Sequence, residues 1–136
     1  MAAMITVQTT VKAPLADVWR AYSSADDIVQ WNAASDDWHT TRAEVDLRAG
    51  GAFLYRMEAK DGSFGFDFAG TYRQVVPEQV LDYEFGDRSA RVDFADGPGG
   101  VTVTVTFEAE SENPVEMQKD GWQAILNRFK DYVEAR

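Results

Sequence analysis

The chain contains no cysteine, which removes disulfides, thiolate metal sites, iron–sulfur clusters and cysteine nucleophiles together. A single histidine excludes any multi-histidine metal centre. Basic residues are scarce: 13 Lys and Arg stand against 23 Asp and Glu, for a net charge of −10. That balance opposes binding to nucleic acid backbones or anionic lipid, both of which need basic footprints. No apolar run approaches the roughly 18 residues of a membrane helix, and no basic stretch followed by an apolar one opens the sequence. Integral membrane insertion is therefore not expected, and the expected compartment is the cytoplasm. There is no phosphate loop ending in Gly-Lys-Ser/Thr and no dinucleotide fingerprint. Gly62-Ser63-Phe64-Gly65 lacks the spacing of a nucleophile elbow. Neither a metal nor a cofactor is expected.

What is present reads as one domain over residues 1–136, without repeats or linkers. A chain of this length buries roughly two-thirds of its unfolded surface. Residues 4–11 alternate, with Ile5, Val7, Thr9 and Val11 in one phase, as in a half-buried strand. Pro14 suits the first turn of a short helix to about Tyr22. Ser24 with Asp27 resembles a capping box for a second short helix to about Trp31, and Asp26-Asp27 suit its N-terminus.

From residue 38 onward the period is two. One phase carries His39, Thr41, Ala43, Val45 and Leu47. It continues through Phe53, Tyr55, Met57 and Ala59, then Phe64, Phe66, Phe68, Gly70 and Tyr72. Leu81, Tyr83 and Phe85 follow, then Ala90, Val92 and Phe94, and finally Val101, Val103, Val105 and Phe107. Asp61-Gly62, Gly86-Asp87 and the 96–100 segment supply turns. These six strands form an antiparallel meander with one wet face. Asn113, Pro114 and Glu116 predict the start of a helix over 114–135, about 33 Å long at 1.5 Å per residue. Its apolar arc holds Gly121, Trp122, Ile125, Leu126 and Phe129, with Gln118 near the middle. A long helix laid on a seven-stranded antiparallel sheet is an α+β arrangement.

The inner phase thus collects Tyr55, Tyr72, Tyr83, His39 and, from the helix, Gln118 among apolar neighbours. Such groups either satisfy one another in a filled core or line a cavity with a few placed polar groups. Glu44, Asp67, Asp82, Glu84 and Asp93 fall in the outer phase, so acid–base chemistry would lean on His39 or a tyrosine. A register slip of one residue would send His39 to solvent and Trp38 inward. Gly70 is expected to face the cavity, or else to mark a bulge.

Three stretches carry a family resemblance. "VKAPLADVWRAYSSADDIVQW", "AEVDLRAGGAFLYRMEAKDGSFGFDFAGTYRQVVPEQVLDYEF" and "MQKDGWQAILNRFKDYVE" resemble the opening, middle and closing helix of proteins similar to the activator of heat-shock-protein-90 ATPase. The resemblance implies the helix-grip fold of START-like proteins: a seven-stranded curved antiparallel sheet wrapped on a long C-terminal helix, with two short helices after the first strand. It also implies a cavity between sheet and helix. Relatives in the wider superfamily bind sterols, lipids, polyketides or plant hormones, and some are cyclases. No catalytic set of the family can be placed on this chain.

The leading reading is a binding protein for a small hydrophobic molecule, not an enzyme. Tyr55, Met57, Phe66, Phe68, Tyr72, Tyr83 and Trp122 would wall the cavity, with His39 and Gln118 orienting a polar end. The alternatives are a cyclase or aromatase using the same cavity, and a module that partners a chaperone through its outer surface.

Overall fold

The structure, a computed structural model, describes residues 3–136. Its elements run β1 (Met4–Val11), α1 (Leu15–Ser23), α2 (Ala25–Trp31), β2 (Trp38–Val45), β3 (Ala52–Ala59), β4 (Gly65–Val76), β5 (Val80–Phe85), β6 (Arg88–Gly97), β7 (Gly100–Glu108) and α3 (Val115–Glu134). The seven strands form one antiparallel sheet in the order β1-β7-β6-β5-β4-β3-β2. The meander is contiguous, and β1 closes it by pairing with β7, Ile5 opposite Phe107 and Val11 opposite Val101. This is the α+β helix-grip arrangement, with the long helix held inside the curl of the sheet.

Two irregularities bend the ladder. The register shifts between Thr40 and Arg42 against β3, and between Tyr72 and Gln74 against β5. An extra residue on one strand kinks it and increases local twist, which lets a wide sheet wrap around a helix. Each shift also exchanges the faces of the residues on its two sides. Asp61-Gly62 makes the tight β3–β4 turn, Gly62 taking φ +79. The Asp46–Gly51 segment is fastened to β4: the Gly50 N–H donates to the Tyr72 carbonyl at 2.8 Å, and the Tyr72 N–H to the Gly51 carbonyl at 2.9 Å.

The core is solid at one end of the molecule only. There β1, β6 and β7 bury Val7, Val92, Val101 and Val103 against α1, α2 and the C-terminal half of α3. Phe129 is fully buried, its ring 5.0 Å from Tyr22 and 4.9 Å from Trp31. The Trp31 indole N–H donates to the Ala21 carbonyl at 2.9 Å, locking α2 to α1. Asp27, in the first turn of α2, accepts from the Tyr132 hydroxyl and the Arg136 guanidinium, each at 2.5 Å. That buried carboxylate therefore clips the end of α3 to the start of α2, besides sitting at a helix N-terminus.

The helix starts differ from the capping expected of them. Ser24 is the N-cap of α2 without a side-chain hydrogen bond, and the Asp27 carboxylate, turned to Tyr132 and Arg136, closes no capping box with it. Pro114, not Asn113, caps α3, and Glu116 closes no capping box. Asn113 instead offers its carbonyl to Gln118.

Candidate functional site

Between the N-terminal half of α3 and strands β3–β5 the two layers part. They enclose a cavity of about 470 Å³, floored by the inner faces of β3, β4 and β5 and roofed by Met117 to Leu126. The alternation of the strands explains the floor. Tyr55 is opposite Phe68 and Met57 opposite Phe66, and all four line the cavity. Tyr72 and Tyr83, paired across β4 and β5, continue the same face. Trp122 stacks flat on Phe107, centroids 3.9 Å apart and planes 9° from parallel, and turns its other side to the cavity. Its indole N–H finds no hydrogen-bond partner among the described residues.

One end of the cavity is open. Phe66 and Met117, both lining it, are exposed, Met117 by 60%, and Phe64 beside them by 62%. Trp38, Phe64 and Phe66 cluster there with ring centroids 5.9–6.2 Å apart. The closed end carries tyrosines. Tyr22 from α1 joins Tyr55, Tyr72 and Tyr83 around Phe53, which touches the last three at 5.1–5.3 Å. Burial pushes the Tyr22, Tyr55 and Tyr83 phenols well above their ordinary range and Tyr72 up to about 12, so all four are neutral donors at physiological pH. The Tyr55 and Tyr72 hydroxyls lie close to one another. Those of Tyr22 and Tyr83 have no protein partner among the described residues, yet neither is sealed away: Nε of Arg128 is the buried side-chain polar atom left unpaired. Their oxygens are open to the cavity.

Eight of the nine residues singled out from the sequence line this space: Tyr55, Met57, Phe66, Phe68, Tyr72, Tyr83, Gln118 and Trp122. His39 does not. The bulge between Thr40 and Arg42 splits β2 into two phases, so Trp38 and Thr40 face inward before it and Ala43 and Val45 after it. His39 lies opposite Glu58 on the outer side, and Thr41 follows it out, its hydroxyl 3.4 Å from the Glu58 carboxylate. Leu47, beyond the strand, is exposed as well.

Gln118 is present but occupied. Its Nε2 donates to the carbonyls of Glu110 and Asn113 at 3.1 and 2.8 Å, and its Oε1 accepts from the Glu110 N–H at 2.9 Å. It fastens the β7–α3 loop instead of presenting a free amide. Gly70 faces inward, but the Phe53 ring fills the space over it, with ring atoms 2.8–2.9 Å from where a Cβ would lie and the Glu84 carbonyl at 2.0 Å. It makes room for Phe53 and contributes nothing to the void.

Arg88, Asn32 and Tyr22 also line the cavity and were missed. Arg88 shares the phase of Ala90, Val92 and Phe94, a signal hidden by its place beside the Gly86-Asp87 turn. Asn32 bonds Thr40 on both sides, its Nδ2 donating to Oγ1 at 3.2 Å and its carbonyl accepting from Oγ1 at 2.6 Å. No sequence pattern marks it.

Residues 12–134 match the family model of the activator of Hsp90 ATPase homolog 1-like proteins. The chain belongs to this family. Its structure superposes on the solution structure of an AHSA1-like protein from Aeromonas hydrophila with a TM-score of 0.92 at 46% identity, covering 98% of this chain and 93% of that one. A protein from Cytophaga hutchinsonii is 43% identical, with a TM-score of 0.83 and coverage of 96% and 92%. A crystal structure from Chromobacterium violaceum shares the fold at a TM-score of 0.85 and 23% identity, covering 96% of each chain. No curated protein matches. As an AHSA1-like protein the chain is a module of ligand-binding or chaperone-associated type. Among the described residues no helix is long and apolar enough to cross a membrane.

Proposed function

We propose that this AHSA1-like protein binds a small, largely apolar ligand in the cavity between β3–β5 and the start of α3. The observation that carries the reading is the cavity itself: about 470 Å³, walled by aromatic side chains and fitted with a few inward hydroxyls. This is the usual make-up of a small-molecule site, apolar walls for affinity and sparse polar groups for orientation. Binding is favoured over acid–base catalysis by the lining, which among the described residues holds no His, Asp, Glu or Lys, while its phenols resist ionisation. Family membership alone would support a chaperone-associated role, and the cavity adds nothing to it.

The test is titration with N-phenyl-1-naphthylamine, a neutral fluorophore, beside native mass spectrometry of freshly purified protein. Near-stoichiometric micromolar binding, about −8 kcal/mol, is expected. It should be lost when Phe68 and Trp122 are both replaced by polar residues in a chain that still folds. No fluorophore binding and no co-purifying compound would overturn the reading.

A further inference from the structure

We propose that Arg88 is the anion-recognising arm of this cavity, and that the ligand is an amphipathic acid: a carboxylate carried on an apolar body. The proposal rests on the ligand-binding reading above and names the class of ligand.

Among the described residues, Arg88 is the one charged residue in the lining. It is also the one arginine without a carboxylate partner among the described residues; every other arginine in the chain is ion-paired. In a protein with 23 acidic residues, a guanidinium left unpaired beside an apolar void calls for an explanation. Two neighbouring carboxylates are engaged elsewhere. Glu108 accepts from the Ser89 hydroxyl at 2.6 Å, and Glu110 accepts from the backbone N–H groups of Asn113 and Glu112 at 2.7 and 3.2 Å.

The guanidinium is nevertheless held in place. It lies over the Phe85 ring, 4.6 Å from its centroid, and Nη1 donates to the Glu108 carbonyl at 3.0 Å. One of its five N–H donors is thus used and its plane is fixed, so the remaining fork is available for a bidentate contact to a carboxylate. Water-poor aromatic walls strengthen that contact relative to bulk solvent. Position fits the chemistry. Arg88 sits where β7 passes into the loop before α3, at the end where Asn113 and Met117 reach solvent, whereas the tyrosines lie at the closed end. An acid would enter apolar end first, with its head remaining at the mouth on Arg88.

The experiment displaces N-phenyl-1-naphthylamine with two matched pairs, decanoate against decanamide and 1-naphthylacetate against its amide, at neutral pH and low salt. In the wild-type protein at least one acid should displace the fluorophore at a concentration tenfold or more below that of its amide. Arg88→Gln should lose the preference for the acid, read as the ratio of acid to amide concentrations at half-displacement, in which any change in fluorophore affinity cancels. Arg88→Lys, which keeps the charge without the fork, should cut the preference at least threefold, and it stands in if Arg88→Gln proves unfolded by circular dichroism. If the fluorophore binds but neither acid is preferred, or the preference survives Arg88→Gln, the assignment of Arg88 is overturned and the cavity reading stands. If the fluorophore does not bind at all, both fall.

Discussion

Gly121 offers a perturbation in which stability and binding move in opposite directions. It lies inside α3, lines the cavity, and a Cβ built on it meets no atom within 4 Å. Glycine within a helix costs about 1 kcal/mol relative to alanine, largely through backbone entropy. Gly121→Ala should therefore stabilise the protein by about 0.8–1 kcal/mol, raising Tm by roughly 3–5 °C for a chain of this size. Gly121→Leu adds an apolar side chain aimed into the void. A leucine there fills part of the 470 Å³ void while burying surface worth ~1.5 kcal/mol. That variant should be at least as stable as the wild type yet bind N-phenyl-1-naphthylamine tenfold or more weakly. Urea titration reads the first quantity and fluorescence the second. Ordinary core damage lowers both together, so this divergence separates a hollow from a filled interior. Loss of stability in Gly121→Ala, or unaltered fluorophore binding in Gly121→Leu, would show that the α3 glycine does not face an empty cavity.

Gly70→Val should fail to fold, or lose more than ~3 kcal/mol, because the new side chain collides with the Phe53 ring and the Glu84 backbone; a stable, soluble variant by circular dichroism and urea titration would contradict that packing. His39→Gln should leave fluorophore affinity within twofold, since the side chain is on the outer face; a tenfold loss would return it to the cavity. Alkali supplies a further test. The four cavity phenols have raised folded values, so their contribution to stability is complete below the unfolded value of 10.0 and declines as pH rises above it. Each phenol held protonated in the fold and ionised in the unfolded chain should lower stability by about 1.4 kcal/mol per pH unit above pH 10. Absorbance near 295 nm should show these tyrosines ionising together with unfolding, and reversible ionisation in the native protein near pH 10 would refute their burial.

The architecture was legible because an antiparallel sheet with one wet face writes its pleat directly into the alternation. Phe53 to Ala59, Leu81 to Phe85 and Val101 to Phe107 sit on the side their phase assigns. The reading failed where the period was interrupted. Trp38 to Arg42 carries no glycine or turn residue to announce the bulge, and the ladder with β3 alone reveals that the faces exchange at Thr41. Gln118 was placed correctly on its arc, but nothing local shows that the loop before α3 consumes its hydrogen bonds. Gly70 likewise reads as open space until the Phe53 ring, from the neighbouring strand, is seen to occupy it.

The confinement of the solid core to one end has a consequence for how such a protein changes over generations. The groups that keep the fold together, Phe129, Val133 and the Asp27 clip, are largely separate from those that line the hollow. A substitution at Met57, Phe66 or Met117 alters the shape offered to a guest while leaving the solid end intact. Selection can then retune what the hollow accepts in small steps, each viable as a folded protein. A common scaffold with widely varying contents is what that separation permits.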